Sequence, residues 1–263
     1  MNYKRAWRAA PGFSEIVKPG DAGLERIGFG LLRLQAGETH TATAEAQETA
    51  LVFLSGTATL RGRGFAYGEI GRRNDVFSGK AASVYLPAGN DYTLQAKTDL
   101  EIAVCQAPSG REGMPRLILP EEVKEVTLGE DNWKRTAYMI VDDRIPAHYL
   151  FIGEAIVPPG NWASFPPHRH DKDDLPEEVD MEEVYFFRFD RPGGFGIQKI
   201  YTDDRSIDET MTVGQNDTVL IPEGYHPVVS AAGYSMYYLW IMAGVNRKFL
   251  SRQDPDHRWV AQG

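Results

Sequence analysis

The sequence of 263 residues carries one set of punctuation twice. Glu48 and Pro87-Ala88-Gly89 recur 135 positions later as Glu183 and Pro222-Glu223-Gly224, and each Glu introduces an apolar run, Thr49 to Leu54 and Val184 to Phe189. Gly30 and Gly37 recur as Gly153 and Gly160 at a shorter spacing of 123. Proline and glycine impose special backbone angles, so repeated positions for both mean repeated turns. The chain is therefore expected to hold two copies of one folding unit. The 12-residue difference in spacing is an insertion in the second copy, between Gly160 and Glu183. It carries Asp171, Asp173, Asp174, Glu177, Glu178, Asp180 and Glu182, a solvated acidic loop or a lid beside a site.

Each unit reads as β-structure. Short runs of Val, Ile, Leu, Phe and Tyr, such as Leu150 to Val157 and Met236 to Met242, are separated by Gly, Pro, Asp and Asn, and helical periodicity is scarce. An all-β chain of two tandem antiparallel barrels or jelly rolls follows. The turn-rich stretch Pro108 to Pro115 divides it into an N-terminal barrel over 1–115 and a C-terminal barrel over 116–263.

The second copy concentrates metal-binding chemistry. His168 and His170 are two apart, hence on one face of an extended strand. Glu183 opens the next run and His226 follows the Pro222-Glu223-Gly224 turn. Three imidazoles and a carboxylate suit one divalent ion, and this donor set fits Zn²⁺, Mn²⁺, Fe²⁺ and Ni²⁺ alike. In the first copy the His226 position falls on Asp91, the His168 region falls on Glu45, and only Glu48 is retained, opposite Glu183. One metal per chain is expected, in the second barrel.

Charge and composition exclude several classes. The net charge is −9 with no basic stripe, which argues against nucleic acid as a partner. No apolar run approaches the length of a membrane span, no signal-peptide core follows Met1, and a cytoplasmic location is expected. The single cysteine, Cys105, lies in an apolar run and reads as a packed strand residue.

His-x-His, a Glu on the next strand and a Pro-x-Gly-x-His turn resemble the cupin pattern, and two copies make a bicupin. Longer segments are more specific. Pro166 to Asp171, Glu182 to Phe189, Gly194 to Glu209, Pro222 to Val228, Tyr237 to Gly244 and Asp254 to His257 resemble the 5-deoxy-glucuronate isomerases of inositol catabolism. The related pectin-pathway isomerases of 5-keto-4-deoxyuronate have their Glu close behind the His-x-His pair, unlike this chain.

The resemblance implies a metal-dependent aldose–ketose isomerase that converts 5-deoxy-D-glucuronate to 5-dehydro-2-deoxy-D-gluconate. It implies His168, His170, Glu183 and His226 as ligands, with Zn or Mn ahead of Fe or Ni. A general base is also needed, and Glu183, Asp203, Asp204 and Tyr238 are the candidates. Arg188, Lys199 and Arg205 are candidates to hold the carboxylate of a small sugar-acid substrate. A cupin dioxygenase and a non-catalytic sugar-binding barrel are the competing classes, and paired barrels of this kind commonly form homo-oligomers.

Overall fold

A computed structural model describes residues 1–262. Among these residues there is no α-helix, only short 3-10 turns, and no helix is long and apolar enough to cross a membrane. Every ladder between named strands is antiparallel.

Two large sheets have matching strand orders. The first runs Arg116–Ile118, Ser83–Leu86, Gln47–Ser55, Leu100–Pro108, Gly28–Leu34, Gly12–Val17. The second runs Lys4–Ala6, Asp217–Ile221, Glu182–Phe189, Met236–Ala243, Leu150–Val157, Arg135–Val141, and adds Lys124–Leu128 at its far edge. A four-stranded sheet closes each copy into a barrel. The copies exchange edge strands: Lys4–Ala6 pairs with Asp217–Ile221, and Arg116–Ile118 pairs with Ser83–Leu86. Each end of the linear division at 115/116 is thus strapped to the other barrel, which also covers an otherwise open sheet edge.

Period-two alternation sorts the side chains into three cores. Leu51 and Phe53 fill the first barrel with Leu60, Leu94 and Ile102. Tyr185, Phe187 and Phe189 fill the second with Ile200, Val213 and Trp240. The intervening residues Ala50, Val52, Leu54, Val184 and Phe186 form a third core between the two large sheets, where Phe29 and Phe186 meet at 5.5 Å. Cys105 is buried in this layer, and burial pushes its thiol pKa up. Fully burying a side chain the size of Phe contributes about 1.5–3 kcal/mol, so this layer fastens the barrels together.

The strand register corrects one correspondence drawn from sequence. Thr49 pairs with Leu86, and Glu183 pairs with the equivalent Ile221. Thr49 therefore occupies the Glu183 position, and Glu48 corresponds to Glu182. A shift of one residue moves a side chain to the opposite face of a strand. Glu48 and Glu182 accordingly point away from the barrel interiors and make reciprocal clamps. The Glu48 carboxylate accepts from the N–H groups of His148, Tyr149 and Leu150 at 2.7, 2.7 and 2.9 Å, and from the Tyr85 hydroxyl at 2.6 Å. Glu182 accepts from the N–H groups of Glu25, Arg26 and Ile27 at 2.5, 2.8 and 2.6 Å. Each carboxylate thus caps the start of a strand in the opposite barrel. Glu48 is an interdomain clamp and not the remnant of a ligand.

One glycine is required by close packing beside the site. Gly153 pairs directly with Trp240, whose indole lies over it, and any Cβ added at Gly153 would overlap the indole and the Tyr138 carbonyl. Gly153→Ala is expected to cost about 1–3 kcal/mol by overpacking and to displace the Trp240 ring. Urea unfolding and tryptophan fluorescence report the two effects separately.

Candidate metal centre

His170, Glu183 and His226 converge inside the second barrel, and one ligand atom from each lies within 4.8 Å of the others. Glu183 projects inward because it shares parity with Tyr185 and Phe187 on Glu182–Phe189. His226 stands in the turn between Asp217–Ile221 and Val228–Ser230, where Gly224 takes φ +91. A Cβ on Gly224 would also press on the Tyr201 carbonyl at 2.6 Å, so only glycine fits this turn without strain. His168 lies on the short strand His168–Arg169, and its ring is 5.0 Å from that of His226. Its nitrogen falls outside the tight group, although the side chain lines the same cavity.

The hydrogen bonds of the three imidazoles set their tautomers. Nδ1 of His170 faces the Met181 carbonyl at 2.6 Å, Nδ1 of His226 faces the Gly224 carbonyl at 2.9 Å, and Nδ1 of His168 faces the Pro166 carbonyl at 3.3 Å. A carbonyl only accepts, so each Nδ1 carries the proton and donates, leaving Nε2 as a lone pair. The Nε2 atoms of His170 and His226 then lie 3.3 and 3.2 Å from Glu183 Oε2. His226 Nε2 is buried with no hydrogen-bond partner. Lone pairs on three acceptor atoms held this close repel one another unless a cation sits among them. The chemistry of the donor set therefore fits a divalent metal, with backbone carbonyls orienting the imidazoles from behind.

Electrostatics follow from this packing. Burial alone would raise the Glu183 carboxyl, but with no cation at the centre protonated His170 and His226 beside it outweigh burial and hold it at about 2. Burial, and then the neighbouring His226, His170 and Arg135, push the His168 pKa down. Burial pushes the Tyr238 hydroxyl up to about 12, so it keeps its proton at neutral pH. Tyr238 packs against Tyr185 with the rings tilted and 4.6 Å between centroids, and the Tyr185 hydroxyl lies 2.7 Å from the Ser164 hydroxyl. Ser164 takes φ +49, a conformation uncommon for a residue with a side chain. These groups line a cavity of about 50 Å³ together with Arg135, Trp240, Met242 and Phe249.

The remaining candidates lie elsewhere. Asp203 pairs with Arg169 and accepts from the Tyr225 hydroxyl at 3.0 Å. Asp204 accepts from the Thr202 and Ser206 hydroxyls in the same polar turn. Arg205 lies over the Tyr201 ring at 4.3 Å, half exposed. Arg188 pairs with Glu101, and Lys199 lies 2.6 Å from Asp208. None of these five side chains lines the metal cavity. The acidic insertion folds as a hairpin, Asp171–Asp174 against Glu178–Asp180, tied down by Arg169 and Arg252. Asp171 accepts from the Gly224 N–H at 2.7 Å, so the hairpin braces the His226 turn from outside the cavity. Arg135, Ser164 and Tyr185 were not singled out from sequence. The available signal was parity, since Arg135, Ala137 and Met139 share the inward face of Arg135–Val141.

The KduI/IolB family matches residues 7–260. A 5-deoxy-glucuronate isomerase of Geobacillus thermodenitrificans is 44% identical over 94% of this chain and 90% of its own length. Its counterpart in Bacillus subtilis (strain 168) is 39% identical over 94% and 92%. The crystal structure of an IolB-like protein from Salmonella typhimurium LT2 superposes with a TM-score of 0.95 at 38% identity, covering 99% of this chain and all of that one. An oxalate decarboxylase of Lactobacillus farciminis shares the bicupin fold alone, with a TM-score of 0.71 at 12% identity over the whole of this chain and 91% of its own. The chain belongs to the KduI/IolB family.

Proposed function

We propose that the protein is an aldose–ketose isomerase that converts 5-deoxy-D-glucuronate to 5-dehydro-2-deoxy-D-gluconate in inositol breakdown. The observation that carries this reading is the convergence of one ligand atom each from His170, His226 and Glu183 inside the second barrel, beside a cavity that His168, His170 and Glu183 line. His168, at the rim of that group, completes a four-residue ligand set for Zn²⁺ or Mn²⁺. When bound, the ion supplies positive charge that stabilises the enediolate formed when the carbon next to the aldehyde loses its proton.

The chain's own groups do the rest. Tyr238 keeps its phenolic proton at neutral pH and is a hydrogen-bond donor to a substrate oxygen. Ser164 and Tyr185 hold the ring packed against Tyr238. Glu183 is the carboxylate base candidate that lines the cavity, acting if it partly leaves the metal, since Asp203 and Asp204 do not line it. The apolar surfaces of Trp240, Met242 and Phe249 limit the access of water to the reacting carbons.

Incubating metal-loaded protein with 5-deoxy-D-glucuronate and following the aldehyde proton by NMR tests the assignment. Turnover should proceed without oxygen, stop on chelation and return when Zn²⁺ or Mn²⁺ is restored. A requirement for O₂ would make the protein an oxygenase. Turnover of 5-keto-4-deoxyuronate alone would move it to the pectin-pathway branch.

A further inference from the structure

Arg135 carries the one guanidinium or ammonium group among the described residues lining the metal cavity. It opens the strand Arg135–Val141, points into the barrel with Ala137, and is 9% exposed. No carboxylate lies within ion-pair distance of it among the described residues. Its only hydrogen bonds run from Nη1 to the carbonyls of Trp133 and Phe165, at 3.3 and 3.2 Å. Nε and Nη2 have no protein acceptor.

The other buried or half-buried guanidinium groups differ. Arg73 is paired with Glu154, Arg169 with Asp203 and Glu178, and Arg188 with Glu101. Arg247 is spread over four backbone carbonyls. A largely buried guanidinium with two uncommitted donors and no counter-ion is placed to receive an anion that enters the cavity.

The repeat sharpens the point. Gly12 pairs with Arg33, and Thr136 pairs with the equivalent Ile156, so Pro11 occupies the Arg135 position in the first barrel. The copy without metal ligands also lacks this cation. Arg188, Lys199 and Arg205, the cations expected from sequence, lie outside the cavity.

We propose that Arg135 binds the carboxylate of the sugar-acid substrate and sets specificity for acids over neutral sugars. This rests on the isomerase reading given above. Two guanidinium donors take the two carboxylate oxygens, which fixes the far end of the sugar chain and leaves the aldehyde end at the metal centre.

The test compares wild type with Arg135→Met, which keeps much of the apolar volume, and with Arg135→Lys. The substrates are 5-deoxy-D-glucuronate and the neutral 5-deoxy-D-glucose. For Arg135→Met, kcat/KM on the acid should fall by ~10²–10³-fold, chiefly through KM, while the neutral sugar changes by less than about threefold. Arg135→Lys should recover part of the loss on the acid, and metal content should match wild type in both variants. An unchanged kcat/KM on the acid, or equal losses on both substrates, would overturn the assignment. Binding of the borohydride-reduced acid, which cannot isomerise, separates this proposal from the function itself. If wild type fails to turn over the acid, yet binds the reduced form ~10²-fold more tightly than Arg135→Met does, the isomerase reading falls and the carboxylate site stands. Equal binding by the two proteins sinks the site.

Discussion

His226→Ala is expected to remove the bound metal and lower kcat/KM by at least ~10³-fold, because metal charge stabilisation is worth several kcal/mol and each 1.36 kcal/mol is tenfold in rate. His226 is fully buried, and its Nε2 has no role in the protein other than to face the centre. Its loss removes one donor and leaves Glu183 and His170 facing a gap. Metal analysis after dialysis and the isomerase assay should fall together, while far-UV circular dichroism stays that of the barrel. His168→Ala should cost less, since the His168 nitrogen lies outside the close group formed by the other three. Equal metal content in wild type and His226→Ala would remove His226 from the ligand set.

Glu154→Ala is expected to lower stability by about 3–5 kcal/mol without touching the cavity. Glu154 is fully buried between the barrels, where Arg73 Nη1 donates to it at 3.0 Å and Nη2 makes a second bond. The Tyr237 hydroxyl donates to the same carboxylate at 2.7 Å. Arg73 also donates to the carbonyls of Phe53 and Gly79. Removing the carboxylate leaves a desolvated guanidinium and a buried hydroxyl without their acceptor. Replacing both charged groups, as Arg73→Met with Glu154→Leu, should be less destabilising than Glu154→Ala alone, because no uncompensated charge remains. Urea unfolding of the three proteins measures this. A double variant weaker than the single by the full additive amount would show that the pair is worth more than its desolvation.

Much of the molecule was legible along the chain. Repeated prolines and glycines identify the two copies, because those residues restrict or free the backbone wherever they occur. His168 and His170 with Glu183 and the His226 turn are readable as one chemical set, since few other roles bring those side chains together. The cation that faces the same cavity was not legible. Arg135 is one of many charged residues, and its charge alone does not distinguish it from Arg188, whose counter-ion Glu101 comes from a distant strand.

Amino-acid order alone determined that this chain would be β-rich, duplicated and furnished in its second half with side chains of the kind that can hold a metal, because turn propensity, alternation and donor chemistry are local properties. Tertiary structure alone decided that Glu48 clamps the opposite barrel and has no tie to the candidate ligands, that the two copies exchange edge strands, and that Arg135 is left without a counter-ion. Each of these depends on strand register and on which faces meet. A one-residue shift in register, invisible to spacing arguments over a hundred residues, turns a side chain from one face of a sheet to the other.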